Sequence, residues 1–406
     1  MEFLTRLWLF AITLIFFANA LFYSPPTAGR ELTDPSDFLK VCGTAIRNKS
    51  GKGKRVYLRG TNAGGWLVHE EWMCPTSAPD AKTIRDVLEA RFGAETRDEL
   101  LDVYRDAYWT ERDFDNCAAM GMTAIRLPFI YWDIADEDAN ILPGGFDRLD
   151  WFVENCARRG MYVILDLHGA YGSQSGKHHS GQINDGKQLY FSEENRAKTV
   201  KLWEGIARHY KGNPAIAAYD FLNEPERDVG YTDEVQWEFY DELYRAVRAI
   251  DPDHIITFEA CWWPDSLPNP KQYGWENVMY QYHHYAWSAS NNAQGIKEHS
   301  MGESLLILKK RHKTPVFIGE FTNFNQPDAW QFTLDQYNKL GFHWTTWTYK
   351  VTSTSSWGLY NHNPPRVDVY NDSEAEIREK WALTGYEHAA ENPLKDVIAE
   401  YLPGRK

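Results

Sequence analysis

The sequence predicts an α/β protein, a (β/α)8 TIM barrel formed by a single domain. Eight short apolar segments alternate with amphipathic helical patterns, which is the repeat of such a barrel. After residue 35, no linker, low-complexity run or change of composition divides the chain. A doubly wound sheet is the rival fold, but no Gly-x-Gly-x-x-Gly phosphate loop follows the first segment. We therefore expect one domain over residues 35–406.

The predicted strands are separated by intervals that leave room for a helix. They are Val56–Gly60, Ala124–Pro128, Tyr162–His168, Ala217–Asn223, Ile255–Glu259, Val278–His283, Val316–Glu320 and His343–Trp347. The clearest helical patterns, with Gly or Pro near their ends, are Asp147–Arg159, Glu193–Tyr210 and Glu234–Ile250. In such a barrel, binding and catalytic groups lie at the carboxyl ends of the strands.

Composition excludes two classes of protein. The chain has 43 Lys and Arg residues against 57 Asp and Glu residues, a net charge of −14, whereas nucleic-acid binding needs clustered cations. Aromatic residues make up 15% of the chain and include 17 tryptophans, so it can bury ample apolar surface and is not disordered. The tryptophans either fill the core or line a groove that stacks on sugars.

Residues 1–20 have the pattern of a signal peptide. Arg6 precedes the apolar run from Leu7 to Phe17, and Ala18-Asn19-Ala20 fits a cleavage site between small residues. An uncleaved membrane anchor is the alternative. Either interpretation predicts export, to a secreted or periplasmic location, with membrane association only if the segment is retained. We expect the exported body to be a monomer.

Polar and ionisable residues collect at the ends of the predicted strands, whereas the strands themselves are apolar. This rim consists of Asn62, Arg126, His168, Asn223, Glu224, His283, Tyr285, Glu320 and Trp347. Folding alone does not account for such a distribution. His178 and His179, in a loop rich in Gly and Ser, are interpreted as solvated rather than as metal ligands.

Two glutamates at this rim predict the chemistry. Glu224 and Glu320 end strands on opposite sides of the barrel, so their carboxyl groups can face each other across its mouth. Cleavage of a glycosidic bond needs two such carboxyl groups, one protonated and one ionised. Asn223 beside Glu224 suits a sugar 2-hydroxyl, which favours Glu224 as the acid/base and Glu320 as the nucleophile. The alternative is that both are ordinary acids on solvated loops.

The neighbouring residues have predicted supporting roles. Arg126 would keep Glu320 ionised, because a nearby cation lowers the pKa of a carboxyl group, although it could instead pair with a loop acid. Tyr285 could donate a hydrogen bond to the same carboxylate. His168 and His283 would bind sugar hydroxyls or relay protons, unless they are structural.

Tryptophan side chains are candidates for sugar stacking. Trp347 is expected to form the floor of the site, and the loop candidates are Trp66, Trp72, Trp262, Trp263 and Trp287.

The order of these motifs resembles glycoside hydrolase family 5, and within it the exo-β-1,3-glucanase branch. The resemblance covers the chain after about residue 40. It rests on Arg59-Gly60-Thr61-Asn62-Ala63-Gly64-Gly65-Trp66-Leu67-Val68 followed by Glu70 and Trp72, on Asp166-Leu167-His168-Gly169-Ala170-Tyr171-Gly172-Ser173-Gln174-Ser175-Gly176, on Asn223-Glu224-Pro225, on His283-His284-Tyr285, on Gly319-Glu320 and on Trp347-Thr348-Tyr349-Lys350. The chain departs from the branch at Ala63, Glu71 and Tyr171, in loops expected to border the substrate.

The resemblance implies a retaining β-glycosidase that acts on β-glucan by double displacement. It assigns Glu224 as acid/base and Glu320 as nucleophile, with Arg126, His168, Asn223, His283, Tyr285 and Trp347 in the surrounding binding positions. Glu70 matches a carboxylate that binds the terminal glucose. Exo-β-1,3-glucanase action is the leading hypothesis; an endo-β-1,4-glucanase, another β-glycosidase of the family and a non-catalytic carbohydrate-binding protein are the alternatives. No cofactor is expected, and no metal, because the first strand lacks a His-x-His motif.

Overall fold

The computed structural model describes residues 30–74, 76–184, 188–226, 232–260, 263–264, 266–352 and 357–403. The predicted signal peptide and Trp262 lie outside the described residues. The strands are β1 Lys40–Cys42, β2 Ala45–Arg47, β3 Arg55–Val56, β4 Arg59–Asn62, β5 Ala124–Ile130, β6 Tyr162–Gly169, β7 Ile216–Asp220, β8 Ile255–Glu259, β9 Val278–Tyr285, β10 Val316–Thr322, β11 His343–Thr346, β12 Lys350–Thr352, β13 Tyr360–His362 and β14 Ala389–Glu391.

Helices alternate with the central strands. They are α1 Ala81–Phe92, α2 Ala94–Tyr108, α3 Glu111–Met120, α4 Asp147–Arg158, α5 Gln188–Phe191, α6 Glu193–Tyr210, α7 Asp233–Ile250, α8 Pro270–Tyr273, α9 Ala293–Lys310, α10 Pro327–Leu340, α11 Glu374–Ala382 and α12 Leu394–Ala399. Short 3₁₀ helices are Pro35–Asp37, Tyr131–Asp133, His178–Ser180, Trp287–Ala289 and Tyr386–His388.

Strands β4 to β11 close into a parallel barrel. Consecutive strands pair along the chain, and β11 returns to pair with β4. Each barrel strand is buried along its whole length, as expected for a parallel sheet that is covered by helices on the outside and filled by side chains on the inside. The predicted (β/α)8 fold is confirmed.

The predicted first strand, Val56–Gly60, was wrong. Arg55 and Val56 belong to an antiparallel sheet with β1 and β2, and the barrel strand begins at Arg59. Tyr57 and Leu58 separate the two strands, and the backbone N–H of Leu58 donates to the ring nitrogen Nδ1 of His343 and not to a neighbouring strand. The apolar run therefore contains two strands that belong to different sheets.

The other boundaries differ by small amounts. Strand β8 and helix α6 have the predicted bounds, whereas β7 ends at Asp220, three residues before the predicted Asn223. Beyond Asp220 the chain stays beside its neighbour, because Asn223 donates its backbone N–H to the carbonyl oxygen of Leu167 at 3.1 Å.

The core accounts for many of the tryptophans. In the described part of the chain, five tryptophans are less than 2% exposed: Trp66, Trp109, Trp203, Trp344 and Trp381. Cys117 and Cys156 are buried thiols on α3 and α4. Among the described residues, no helix is both long and apolar enough to cross a membrane.

Candidate active site

A cleft of about 550 Å³ opens at the carboxyl ends of the barrel strands. Seven of the nine predicted site residues line it: Glu70, His168, Asn223, Glu224, Tyr285, Glu320 and Trp347. The other two, Arg126 and His283, lie behind this lining. Arg126 contacts Glu320, and His283 contacts Glu224. The structure therefore brings the whole predicted set together.

A β-bulge directs Glu320 into the cleft. The pairing of β10 with β9 advances from Ile318 opposite Tyr282 to Glu320 opposite His283, so Gly319 is an extra residue. A Cβ atom at Gly319 would lie 2.6 Å from the side chain of Gln281, so only glycine fits there without displacing that side chain. The bulge changes which face of the strand Glu320 occupies.

Each carboxylate oxygen of Glu320 has its own donor. Arg126 donates from Nη1 to Oε1 at 2.8 Å, and Tyr285 donates its hydroxyl to Oε2 at 2.8 Å. Burial raises the pKa of Glu320, while His283 and Arg126 act in the opposite direction. The expectation that Arg126 contacts Glu320 is met, and the guanidinium acts to lower the pKa of this carboxyl group as expected, but burial outweighs it and the net shift is upward.

Arg126 is completely buried and binds several carbonyl and carboxylate oxygens. Its Nε donates to Asp220 at 2.8 Å, its Nη2 lies 3.0 Å from Asp166, and the same Nη2 donates to Asn223 at 2.9 Å. Burial raises the pKa of Asp166 and of Asp220 to about 7 each, despite this cation. The guanidinium thus fixes strands β5, β6, β7 and β10 relative to one another.

Glu224 follows β7 in a strained backbone conformation. Its φ of 42° is in the left-handed region, which a residue other than glycine rarely adopts. His283 Nδ1 lies 2.8 Å from its Oε1, and His179 Nδ1 lies 3.4 Å from its Oε2. Burial raises the pKa of Glu224 to about 7, against the opposing effect of His168. A carboxyl group of this kind keeps its proton in a substantial fraction of molecules near neutral pH, so it can act as a proton donor.

The two carboxyl groups lie close together. Oxygen atoms of Glu224 and Glu320 and a ring nitrogen of His283 are all within 4.8 Å of one another. Retaining glycosidases separate their carboxyl groups by about 5–5.5 Å, whereas inverting enzymes need about 6.5–9.5 Å to admit a water molecule. Three such groups could also ligate a metal, but Arg126 already supplies a cation to the Glu320 carboxylate.

Asn223 has a free donor in the cleft. Its Oδ1 accepts a hydrogen bond from Arg126, which fixes the orientation of the amide, and its Nδ2 has no partner among the described residues. Beside it, the ring of His168 stacks on Trp347 with centroids 5.3 Å apart and planes 6° from parallel. His168 Nδ1 lies 2.6 Å from the carboxylate of Asp166, so Nε2 remains for a ligand.

Glu70 presents a buried carboxylate at another part of the cleft. Trp72 Nε1 donates to its Oε2 at 2.9 Å, and His178 Nε2 lies 2.9 Å from the same oxygen. The interaction with Glu70 raises the pKa of His178. Because two donors share one oxygen, Oε1 of Glu70 is the more available acceptor for sugar hydroxyls.

Several predicted positions turn out differently. Trp66 is 1% exposed and packs against Trp109 and Phe152 in the core, and Trp263 does not line the cleft. His178 and His179 were predicted to be solvated; both line the cleft, where the side chain of His178 is 42% exposed and that of His179 only 14%.

The loops that carry the three departures from the exo-β-1,3-glucanase pattern border the cleft as expected, through Glu70, Trp72 and Lys177 among others, but the three departing residues do not line it themselves. Ala63 is buried, Tyr171 donates its hydroxyl to the carbonyl of Asp136, and Glu71 pairs with Arg366 at the surface.

The buried acids beneath the cleft were not among the predicted site residues. Glu259 ends β8 with no exposed surface, and the rule that selected Glu224 and Glu320 by their position at strand ends also selects it. Asp220 gives a weaker signal, an acid inside an apolar strand. Trp357, which also lines the cleft, is far from any predicted strand end.

Comparisons with known proteins agree with this geometry. Residues 85–353 match the family model described as Cellulase (glycosyl hydrolase family 5). A β-xylosidase of Phanerodontia chrysosporium is 29% identical over 365 residues, which cover 82% of this chain and 75% of that protein. A probable glucan 1,3-β-glucosidase A of Neosartorya fischeri is 29% identical over 273 residues, which cover 65% of each chain, less than two thirds of the relative's length.

Solved structures share the fold. A rutinosidase from Aspergillus niger superposes with a TM-score of 0.59 at 18% identity, covering 80% of this chain and 98% of that one. The endoglucanase Cel5A of Thermotoga maritima gives a TM-score of 0.53 at 20% identity, covering 74% and 91%. At these identities the likeness extends to the barrel architecture alone.

Proposed function

The chain belongs to glycosyl hydrolase family 5, and we propose that it hydrolyses a β-glucan or a related β-glucoside with retention of configuration at the anomeric carbon. The observation that carries this proposal is the pair of carboxyl groups of Glu224 and Glu320, which approach within 4.8 Å in one cleft. The surroundings of Glu224 favour a proton on its carboxyl group, whereas the two donors on Glu320 favour its ionised form, and double displacement requires this difference.

In the first step, Glu224 is the acid. It donates its proton to the glycosidic oxygen, the bond from that oxygen to the anomeric carbon breaks, and a carboxylate oxygen of Glu320 bonds to that carbon. Arg126 and Tyr285 hold the attacking carboxylate in one orientation. The free amide N–H of Asn223 is available to the 2-hydroxyl, a contact that strengthens in the transition state.

In the second step, Glu224 is the base. Its carboxylate takes a proton from water while the water oxygen bonds to the anomeric carbon, and Glu320 leaves as a carboxylate. Its pKa of about 7 suits both duties, because protonated and ionised forms are then both accessible near neutral pH.

The leading substrate is a β-1,3-linked glucan cut from its end. This proposal rests on the resemblance to the exo-acting branch, on the relatives named glucan 1,3-β-glucosidase, and on Glu70. Its carboxylate lines the cleft and is held by Trp72 and His178, so it is pre-oriented to bind hydroxyl groups of one sugar unit. An endo-β-1,4-glucanase would release oligomers rather than single sugars from the same cleft.

A β-xyloside is the second candidate substrate. The relative whose alignment covers 82% of the chain is named a β-xylosidase, and xylose differs from glucose only by lacking the hydroxymethyl group at C5. Rates on aryl β-glucoside and aryl β-xyloside, and product profiles on laminarin, cello-oligomers, mannan and xylan, distinguish these substrates.

Glu320→Ala tests the double displacement. We expect the rate to fall by at least about 10⁴-fold, with the fold and sugar binding retained. Azide added to this variant with an activated aryl glucoside should give the α-glucosyl azide, whereas azide with Glu224→Ala should give the β-anomer. Wild-type rates in Glu320→Ala, or exchanged anomers, would overturn the assignment.

We further propose that the protein acts outside the cytoplasm as a monomer, with residues 1–20 as its signal peptide or anchor. This rests on the sequence pattern alone, since those residues lie outside the described ranges. Amino-terminal sequencing of protein recovered from the culture medium, and light scattering of that protein, test export, cleavage and subunit number.

A further inference from the structure

A third glutamate lies directly beneath the acid/base residue. Glu259 has no exposed surface, and its Oε2 accepts a hydrogen bond from the backbone N–H of Glu224 at 3.0 Å. Gln281 Nε2 donates to the same oxygen at 2.7 Å. With two N–H donors on Oε2, any proton that Glu259 carries must reside on Oε1.

The second oxygen of Glu259 faces a histidine that touches the reacting carboxyl group. Oε1 lies 3.3 Å from Nε2 of His283, and each of these buried atoms is without a hydrogen-bond partner among the described residues, so a proton on Oε1 would supply the donor that both lack. The other nitrogen of the same ring, Nδ1, lies 2.8 Å from Oε1 of Glu224. One imidazole therefore lies between Glu259 and Glu224, with one ring nitrogen facing each carboxyl group.

The ring of His283 is neutral, so it carries a single proton. Burial lowers the pKa of His283 to about 3, although Glu320 acts in the opposite direction. A neutral imidazole has one donor nitrogen and one acceptor nitrogen, and the partner on one side determines which is which. The state of Glu259 thus decides whether Nδ1 donates to Glu224 or accepts from it.

The charges around Glu259 favour its neutral form. Arg126 is its only cationic neighbour among the described residues, at 4.0 Å, and that guanidinium already contacts Asp166, Asp220 and Glu320 more closely. Burial, with Asp220 adding to it, raises the pKa of Glu259 well above its usual range. A carboxyl group in this setting keeps its proton near neutral pH.

We propose that Glu259 is a positioning residue for the acid/base glutamate: through Oε2 it holds the backbone of Glu224, and through a proton on Oε1 it makes His283 Nδ1 a donor. The inference rests on the proposed function. The backbone contact matters because Glu224 is held at a φ of 42° immediately before Pro225, where this conformation is disfavoured.

The tautomer matters for the charge that Glu224 acquires. When Glu224 gives up its proton to the leaving oxygen, the Nδ1–H of His283 is in place to donate to the new carboxylate. The other titratable groups around Glu224 also act on it, and they are His168, His178, His179, Glu70, Glu226, Arg126, Tyr285 and Glu320. Glu259 differs from them in acting through the hydrogen-bond direction of His283.

Two substitutions separate this role from simple packing. Glu259→Gln imitates the protonated acid, since its amide oxygen can accept from Glu224 and its amide nitrogen can donate to His283. Glu259→Leu keeps a similar volume but removes both contacts. The matched control is Asp251→Asn, which changes a buried acid beside a histidine, His254, at 2.5 Å and outside the cleft.

The measurement is the pH profile of kcat and KM on an aryl β-glucoside, with thermal unfolding to verify folding. We expect Glu259→Gln and Asp251→Asn to keep kcat within about threefold of wild type, with the alkaline limb in place. Glu259→Leu should lose on the order of 10²-fold in kcat with little change in KM. Its alkaline limb should move to higher pH by about half a unit, because His283 Nδ1 can then accept from protonated Glu224.

The contrary results are equally specific. A folded Glu259→Leu with wild-type kcat and pH profile overturns the inference, and so does a folded Glu259→Gln that loses more than about tenfold in kcat, which would show that the ionised form is required. Should the leucine variant not fold, Glu259→Gln alone decides between these outcomes. A wild-type protein that cleaves no β-glycoside would instead refute the proposed function.

Discussion

Tyr285 donates its hydroxyl hydrogen to Oε2 of Glu320 at 2.8 Å, on the oxygen that Arg126 leaves unbound. Tyr285→Phe removes one hydrogen bond to the proposed nucleophile and leaves the other. A hydrogen bond to a charged group contributes about 1.5–3 kcal/mol, so we expect kcat/KM to fall by about 10- to 100-fold.

The same variant should also change the acid limb of the pH profile. Loss of a donor to the ionised carboxyl group destabilises that form, which raises the pKa of Glu320 and moves the acid limb to higher pH. Tyr244→Phe is the control, because the Tyr244 hydroxyl contacts the backbone of Glu276 away from the cleft. An acid limb that stays in place would mean that Tyr285 does not act on Glu320.

The activity should depend on the protonation of Glu224. Burial raises its pKa to about 7, so the fraction able to donate a proton falls as the pH rises through 7, and kcat/KM should fall with it. Glu224→Gln, assayed on an aryl glucoside whose leaving group needs no proton, should lose this alkaline limb. A limb that persists in Glu224→Gln would have to be attributed to another group.

Two exposed tryptophans allow a matched test of sugar stacking. Trp287 is 57% exposed and lines the cleft, whereas Trp263 is 56% exposed and does not line it. We expect Trp287→Ala to raise KM for oligosaccharides by about 3- to 10-fold, the magnitude of an aromatic stacking contact, and Trp263→Ala to leave KM unchanged. Equal effects of the two substitutions would contradict a stacking role for Trp287.

A chelator should leave hydrolysis unchanged. The donor atoms of Glu224, His283 and Glu320 lie within 4.8 Å of one another, yet Glu320 is already bound by the guanidinium of Arg126, which would repel a divalent cation. We expect equal rates before and after dialysis against EDTA. Loss of activity that added Zn²⁺ or Mn²⁺ restores would require a metal in the mechanism.

The sequence predicted the barrel and the positions of its rim because both depend on local pattern. Apolar strands ending in Glu224, His283 and Glu320 are visible in the chain, and parallel closure brings their ends to one side. The break between Val56 and Arg59 was not visible, because it depends on a side chain from β11, His343, that occupies the N–H of Leu58.

The burial of acidic side chains beneath the rim could not be predicted from the sequence either. Asp220 and Glu259 resemble ordinary acids in the sequence, and only the folded barrel shows that they lie with Arg126 and away from water. The pKa directions follow from this burial: Arg126 was expected to lower the pKa of Glu320, but desolvation outweighs it and raises that pKa. The sequence shows that Arg126 is available at the rim as a cation for Glu320, but it does not show how deeply a carboxyl group is buried in the fold.

Gly319 connects the two halves of the proposed machinery. It forms the bulge that orients Glu320, and the space its missing side chain leaves is filled by Gln281, which in turn donates to the Glu259 that holds Glu224. A methyl group at position 319 would therefore disturb the acid/base side and the nucleophile side together. Attempts to re-engineer this enzyme by adjusting one glutamate while sparing the other will have to leave that glycine untouched.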